Sequence, residues 1–120
     1  MSVRKRALKG MRRGVTYSPK LGQTRIYVTV NPELPSPPLE IWIDVEHKEG
    51  SILVGIGHAL ARSASLALQA GTPVKDIVKA WLDTEGQPGP VFDCDGVTEA
   101  KSLPDLVAQI LVIHCEGSTL

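Results

Sequence analysis

The chain has 120 residues, 13 basic and 13 acidic side chains, 42% apolar content and only 4% aromatics. That makes one domain, able to bury about two thirds of its unfolded surface without metal or disulfide support. It is too poor in aromatic rings for the stacking platform of a single-strand nucleic-acid reader.

The zero net charge hides an asymmetry. Arg4, Lys5, Arg6, Lys9, Arg12 and Arg13 hold six of the thirteen basic residues, so seven face thirteen acids over the rest of the chain. The basic arm (1–13) can contact nucleic acid or an acidic partner, or remain a solvated leader. The acidic body argues against duplex nucleic acid as the main ligand. No apolar run nears the length of a membrane span and no signal-peptide core follows the arm, so a cytoplasmic protein without a membrane partner is expected.

In chain order, Gly14 to Ser18 reads as a short strand and Pro19 to Gly22 as a turn. Thr24 to Asn31 alternates Ile26, Val28 and Val30 with Arg25, Tyr27 and Thr29, the period of a strand with one buried face. Pro32, Pro35, Pro37 and Pro38 force an extended loop. Ile41 and Ile43 then alternate with Trp42 and Asp44 in a second long strand. Ser51 caps a helix that runs to Gly71 and is crowded with small residues, among them Gly55, Gly57, Ala59, Ala61, Ser63 and Ala64. Such residues on more than one face suit both packing on the sheet and a homo-oligomer contact. After Thr72-Pro73, a second helix lines up Val74, Ile77, Val78, Trp81 and Leu82.

Thr84 to Glu99 is rich in Gly and Pro and reads as a long loop around Phe92, the only Phe. It leads into Ala100-Lys101-Ser102-Leu103-Pro104-Asp105-Leu106, where Ser102 caps a third helix and Asp105 stands three residues on, as in a capping box. Leu103, Leu106, Val107, Ile110, Leu111 and His114 share one face of that helix. Its start offers amide donors and a partial positive charge to a phosphate.

This helix start resembles the Thr-Ser-Cys-Pro-Asp motif of the TSCPD domain family. Ser102, Pro104 and Asp105 match, with Lys101 in place of Thr and Leu103 in place of Cys. Thr24–Asn31 and Leu39–Asp44 are similar to the family's two strands, and Ala59–Pro73 to its helix and Gly-x-Pro. The resemblance covers roughly residues 15 to 115. The fold expected is α+β, a single domain (14–116) with a small antiparallel sheet of two or three strands followed by three helices, and a tail at 117–120. The resemblance implies a domain found near the C-terminus of cobalamin-dependent ribonucleotide reductases and also as stand-alone chains, among them phage anti-Thoeris proteins that sequester cyclic nucleotide signals.

The residues that suit a small nucleotide ligand are Arg25, Tyr27, His58, Arg62, Phe92, Asp95, Lys101 and Ser102. Lys101, Ser102, Arg25 and Arg62 suit phosphate or ribose groups, and Phe92 a base. His58 shares a helix face with Arg62, and His47-Lys48-Glu49-Gly50 reads as a turn. Asp93-Cys94-Asp95-Gly96 is acidic but lacks the oxygen-ligand spacing of a calcium loop, and neither Cys94 nor Cys115 has a C-x-x-C partner, so no metal is expected. No hydrolase, P-loop or Rossmann signature appears, and no catalytic residue or cofactor is expected. The resemblance implies two functions. The first is non-catalytic binding that sequesters a cyclic ADP-ribose isomer or a cyclic oligonucleotide, by a chain that forms homo-oligomers. The alternative is an accessory domain protein of ribonucleotide reductase.

Overall fold

The protein is described here by a computed structural model covering residues 13–32, 36–46 and 52–116. The basic arm up to Arg12, the expected Ser51 cap, the turn at 47–50 and the tail lie outside the described residues. Strand β1 (Val15–Tyr17) and strand β2 (Lys20–Leu21) lie in turn along one edge of β3 (Thr24–Asn31), and β4 (Glu40–Val45) lies along its other edge. All these pairings are antiparallel. The β2–β3 hairpin closes on two residues, with Gly22 at φ +63°, a conformation that glycine adopts without steric cost.

Among the described residues the sheet has six strands, not the two or three expected from the sequence. The stretch 84–99 is only partly loop: Gly89–Phe92 forms β5, which pairs with β2 on one side and with β6 (Glu99–Ala100) on the other. Gly and Pro hid this strand, because both are depleted in strands. Pro90 is tolerated where the short ladder with β2 runs out, and its carbonyl still accepts from Gly22 N at 2.8 Å.

Helix α1 (Ile52–Gln69) follows β4, α2 (Val74–Trp81) follows α1, and α3 (Leu103–Cys115) closes the domain. The alternation read in the sequence holds: Ile26, Val28 and Val30 of β3 and Ile41, Ile43 and Val45 of β4 are buried. They form one cluster with Leu103, Leu106, Val107, Ile110 and Leu111 of α3 and with Ala61, Ala64 and Leu68 of α1. By length and composition α1 could pass for a membrane span, which the composition reading did not foresee, yet it packs lengthwise on β4. Its small residues divide: Gly57, Ala61 and Ala64 are buried, whereas Gly55, Ala59 and Ser63 face outward beside the exposed Ile52, Ile56 and Leu66. Val74, Ile77, Val78 and Trp81 turn the inner side of α2 toward the core; Leu82 is the exposed C-cap rather than a fifth member of that stripe.

His114 is buried at the end of α3, its Nδ1 2.8 Å from the Tyr17 hydroxyl. Its Nε2 has no hydrogen-bond partner among the described residues. Burial therefore holds this imidazole below its ordinary pKa. Burial raises the Tyr17 hydroxyl, and the nearby Cys94 and Cys115 add to that shift. The Cys94 thiol is raised by burial and then by Asp95, and the Cys115 thiol by burial. Neither cysteine forms a disulfide, and neither sits where a reactive thiolate is favoured.

The unfolded chain takes up a proton at His114 near pH ~6.5, before the folded chain does. Stability contributed by the neutral ring is thus present above that pH, is lost as pH falls through the window below it, and levels off once the folded ring also protonates. Thermal melts from pH 7.5 to 5 should show this decline, and the double substitution Tyr17→Phe/His114→Phe should make it shallower.

Candidate ligand groove between the fourth strand and the first helix

Among the described residues strand β4 pairs with β3 alone, so its other edge needs cover. Helix α1 provides it. Ser65 Oγ accepts from Ile41 N at 2.9 Å and donates to Ile41 O at 3.1 Å, and Gln69 Nε2 donates to Leu39 O at 3.2 Å. Pleating turns Ile41 and Ile43 inward and leaves Trp42 and Asp44 on the outer face, where Tyr27 and Thr29 of β3 lie opposite them in register. The outer face and the flank of α1 enclose a groove of about 760 Å³, within the range that takes a drug-sized ligand.

Three of the residues singled out in the sequence meet here: Tyr27, His58 and Arg62. His58 Nε2 lies 3.5 Å from Asp44 Oδ1. The Tyr27 hydroxyl donates to Glu46 at 3.3 Å. Arg62 is exposed and has neither ion pair nor hydrogen bond among the described residues. The sequence reading missed Trp42, which is 56% exposed and is the largest ring in the groove. Its signal was present: a Trp on the polar side of an alternating strand has no place in the core behind that strand. Glu40 and Gln69, also missed, complete the lining at the end away from His58 and Asp44.

The other five residues lie elsewhere. Arg25 donates through one nitrogen to Ser18 O at 2.6 Å and Asp93 at 2.9 Å, tying β3 to the turn after β5. Phe92 is an exposed ring at the end of β5, and Asp95 is exposed in the turn that follows. A second cavity of about 860 Å³ near the start of α3 is lined by Lys101 but by neither of these. It carries Asp83, Glu99 and Asp105 against that single lysine, and Lys101 is itself 3.2 Å from Asp83.

The amide donors expected to be open at the start of α3 are taken up by the protein. Ser102 Oγ accepts from Asp105 N at 3.2 Å while donating to Thr84 O at 2.6 Å. Pro104 has no N–H, Leu106 N bonds Ser102 O, and the remaining first-turn amide belongs to the buried Leu103. The Asp105 carboxyl group, 3% exposed, accepts from Asp83 N and Lys101 N, both at 2.8 Å, and from Gln109 Nε2 at 3.1 Å. It thus reaches the residue before the cap rather than the cap itself, and it holds Asp83 in its left-handed conformation at φ +63°. Among the described residues no three His, Cys, Asp or Glu side chains are grouped closely enough to hold a metal ion.

The family model for the TSCPD domain matches residues 2–115. This chain belongs to the TSCPD domain family. It is similar to the vitamin B12-dependent ribonucleotide reductase of Bradyrhizobium diazoefficiens, with 33% identity over 103 residues, 85% of this chain and 8% of that protein. The enzyme of the same name from Agrobacterium fabrum is 30% identical over 118 residues, 98% of this chain and 9% of that protein. The chain thus spans less than a tenth of the length of these relatives. No solved structure matches it.

In this TSCPD domain, the motif-like residues do structural work at the start of α3: Ser102 caps, Pro104 sits in the first turn, and Asp105 knots α3 to the end of α2. Asp105→Ala takes the acceptor from two part-buried backbone amides, so urea denaturation should show a loss of roughly 2 kcal/mol. Asp105→Asn, which keeps one acceptor oxygen, should lose less.

Proposed function

We propose that this TSCPD domain is a non-catalytic nucleotide-binding protein that serves ribonucleotide reduction, with the groove between β4 and α1 as its ligand site. The observation that carries the proposal is the pairing, in one groove, of an unengaged guanidinium on Arg62 with the exposed rings of Trp42 and Tyr27. A nucleotide needs a cation for its phosphate and an aromatic surface for its base. The reductase setting rests on the family and on the names of both relatives. Neither the family description nor those names supports sequestration of a cyclic ADP-ribose isomer or cyclic oligonucleotide, so the accessory reading takes precedence over the one the sequence placed first.

Catalysis is not part of the proposal. The two thiols have raised pKa values, and the Ser65 hydroxyl in the groove is bonded to Ile41 N and O, its donor hydrogen going to the Ile41 carbonyl rather than to His58. Homo-oligomerisation is proposed through the outer side of α1, where Ile52, Ile56 and Leu66 are exposed. Sedimentation velocity should then give a species heavier than 12.9 kDa that Ile56→Glu/Leu66→Glu returns to monomer; a wild-type monomer at high micromolar concentration rules this contact out.

Titration with ribonucleotides of all four bases, followed by tryptophan fluorescence, tests the groove. At least one should quench the wild-type signal, Trp42→Phe should abolish the change while Trp81 still reports, and Arg62→Ala should weaken binding by roughly 10- to 100-fold, the range for a charged hydrogen bond. No response to any base, or an undiminished response in Trp42→Phe, overturns the assignment.

A further inference from the structure

The groove has two lanes of opposite charge. Along β4 stand Glu40 and Asp44 without a basic neighbour on that strand, and along α1 stand His58 and Arg62 without an acidic residue anywhere on that helix. Arg62 is the one fixed cation among the groove residues, because a histidine carries charge only when protonated and His58 is turned to Asp44 at 3.5 Å. Arg62 lines the same groove as the carboxyl group of Asp44. A phosphomonoester brings a charge of about −1.5 to −2, which one guanidinium can take in a bidentate grip. A triphosphate brings more negative charge than Arg62 can match and sets the excess against the exposed carboxyl group of Asp44.

Asp44 is placed for a second task. Its Oδ1 accepts from Val45 N at 3.0 Å and faces His58, which orients the carboxyl group, while Oδ2 has no hydrogen bond among the described residues. A carboxylate can only accept, so its natural ligand partner is a hydroxyl donor rather than a phosphate. Trp42 stands between Asp44 and Glu40 on the same strand, with its ring outside. A base stacked on that ring would leave its sugar beside the carboxyl lane and its phosphate toward the helix lane.

Resting on the nucleotide reading of this groove, we infer that the site selects ribonucleoside monophosphates, with Asp44 reading the sugar hydroxyls and Arg62 the single phosphate. Polyphosphates are rejected by the carboxyl lane, and 2′-deoxy sugars lose a hydrogen bond to Asp44.

Calorimetry with the full chain separates the roles. The probes are the four nucleosides, their 5′-monophosphates, their 5′-triphosphates and the 2′-deoxy monophosphates. For the preferred base the ribonucleoside monophosphate should bind about tenfold tighter than the deoxy monophosphate, as expected for one hydrogen bond to a charged acceptor, and tighter than the triphosphate. Asp44→Asn, isosteric and exposed, should erase the ribose preference and improve triphosphate binding. Arg62→Gln should erase the preference for monophosphate over nucleoside and leave the ribose preference intact. Nucleotides that bind with triphosphate equal or stronger, or with a ribose preference that survives Asp44→Asn, would overturn this inference while sparing the groove. Failure of every probe to bind would remove the nucleotide reading itself. Circular dichroism of each variant confirms that the fold is kept.

Discussion

The architecture depends on how the open edge of β4 is covered. A helix laid along a strand edge cannot continue the ladder, so the edge amide and carbonyl of Ile41 need a side chain small enough to approach and polar enough to bond both ways. Ser65 does both, and Gln69 extends the cover to Leu39. The approach is possible because Gly57, Ala61 and Ala64 face the sheet; an added Cβ at Gly57 would already stand 3.2 Å from the side chain of Ile43. Bringing α1 this close has a consequence for the opposite side. Among the described residues nothing covers the outer face of β3 and β4, and the flank of α1 becomes the wall of a groove floored by Trp42 and Tyr27. Core packing and the candidate site are thus two sides of one contact.

A second constraint explains why the start of α3 is poorly suited to an anion. Helix N-termini bind anions when their amides are open. Here Ser102 Oγ accepts from the Asp105 amide and Ser102 O from the Leu106 amide, Pro104 has no N–H, Ser102 also donates to Thr84 O, and the Asp105 carboxyl group ties down the amides of Asp83 and Lys101. The segment between α2 and α3 is held by this knot rather than by a ligand, and the neighbouring cavity is dominated by carboxyl groups.

Much of the fold was legible because it follows local rules. The alternation of Ile26, Val28 and Val30 fixed the boundaries and buried face of β3, and the helical spacing from Leu103 to His114 fixed those of α3. Strands β5 and β6 were not legible, because β5 opens on Gly89-Pro90 and pairs with β2 from far along the chain, and β6 is only the two residues Glu99–Ala100. The site was half legible. His58 and Arg62 are one turn apart on a helix, a relation sequence spacing reveals; their meeting with Tyr27 and Trp42 depends on which flank of α1 faces the sheet, which spacing does not settle. Arg25 and Tyr27 share a strand face, yet one is tied to Asp93 and the other lines the groove.

The central claim is that an anionic, base-bearing metabolite occupies the β4–α1 groove rather than the start of α3. Backbone and indole N–H shifts in a ¹⁵N-labelled sample, followed while a ribonucleoside monophosphate is added, test it most directly. The account predicts the largest movements at the Trp42 indole and along Ile41–Asp44 and His58–Ser65, with Lys101–Leu106 still. Movements centred on Lys101–Leu106, or none at the groove, would contradict it.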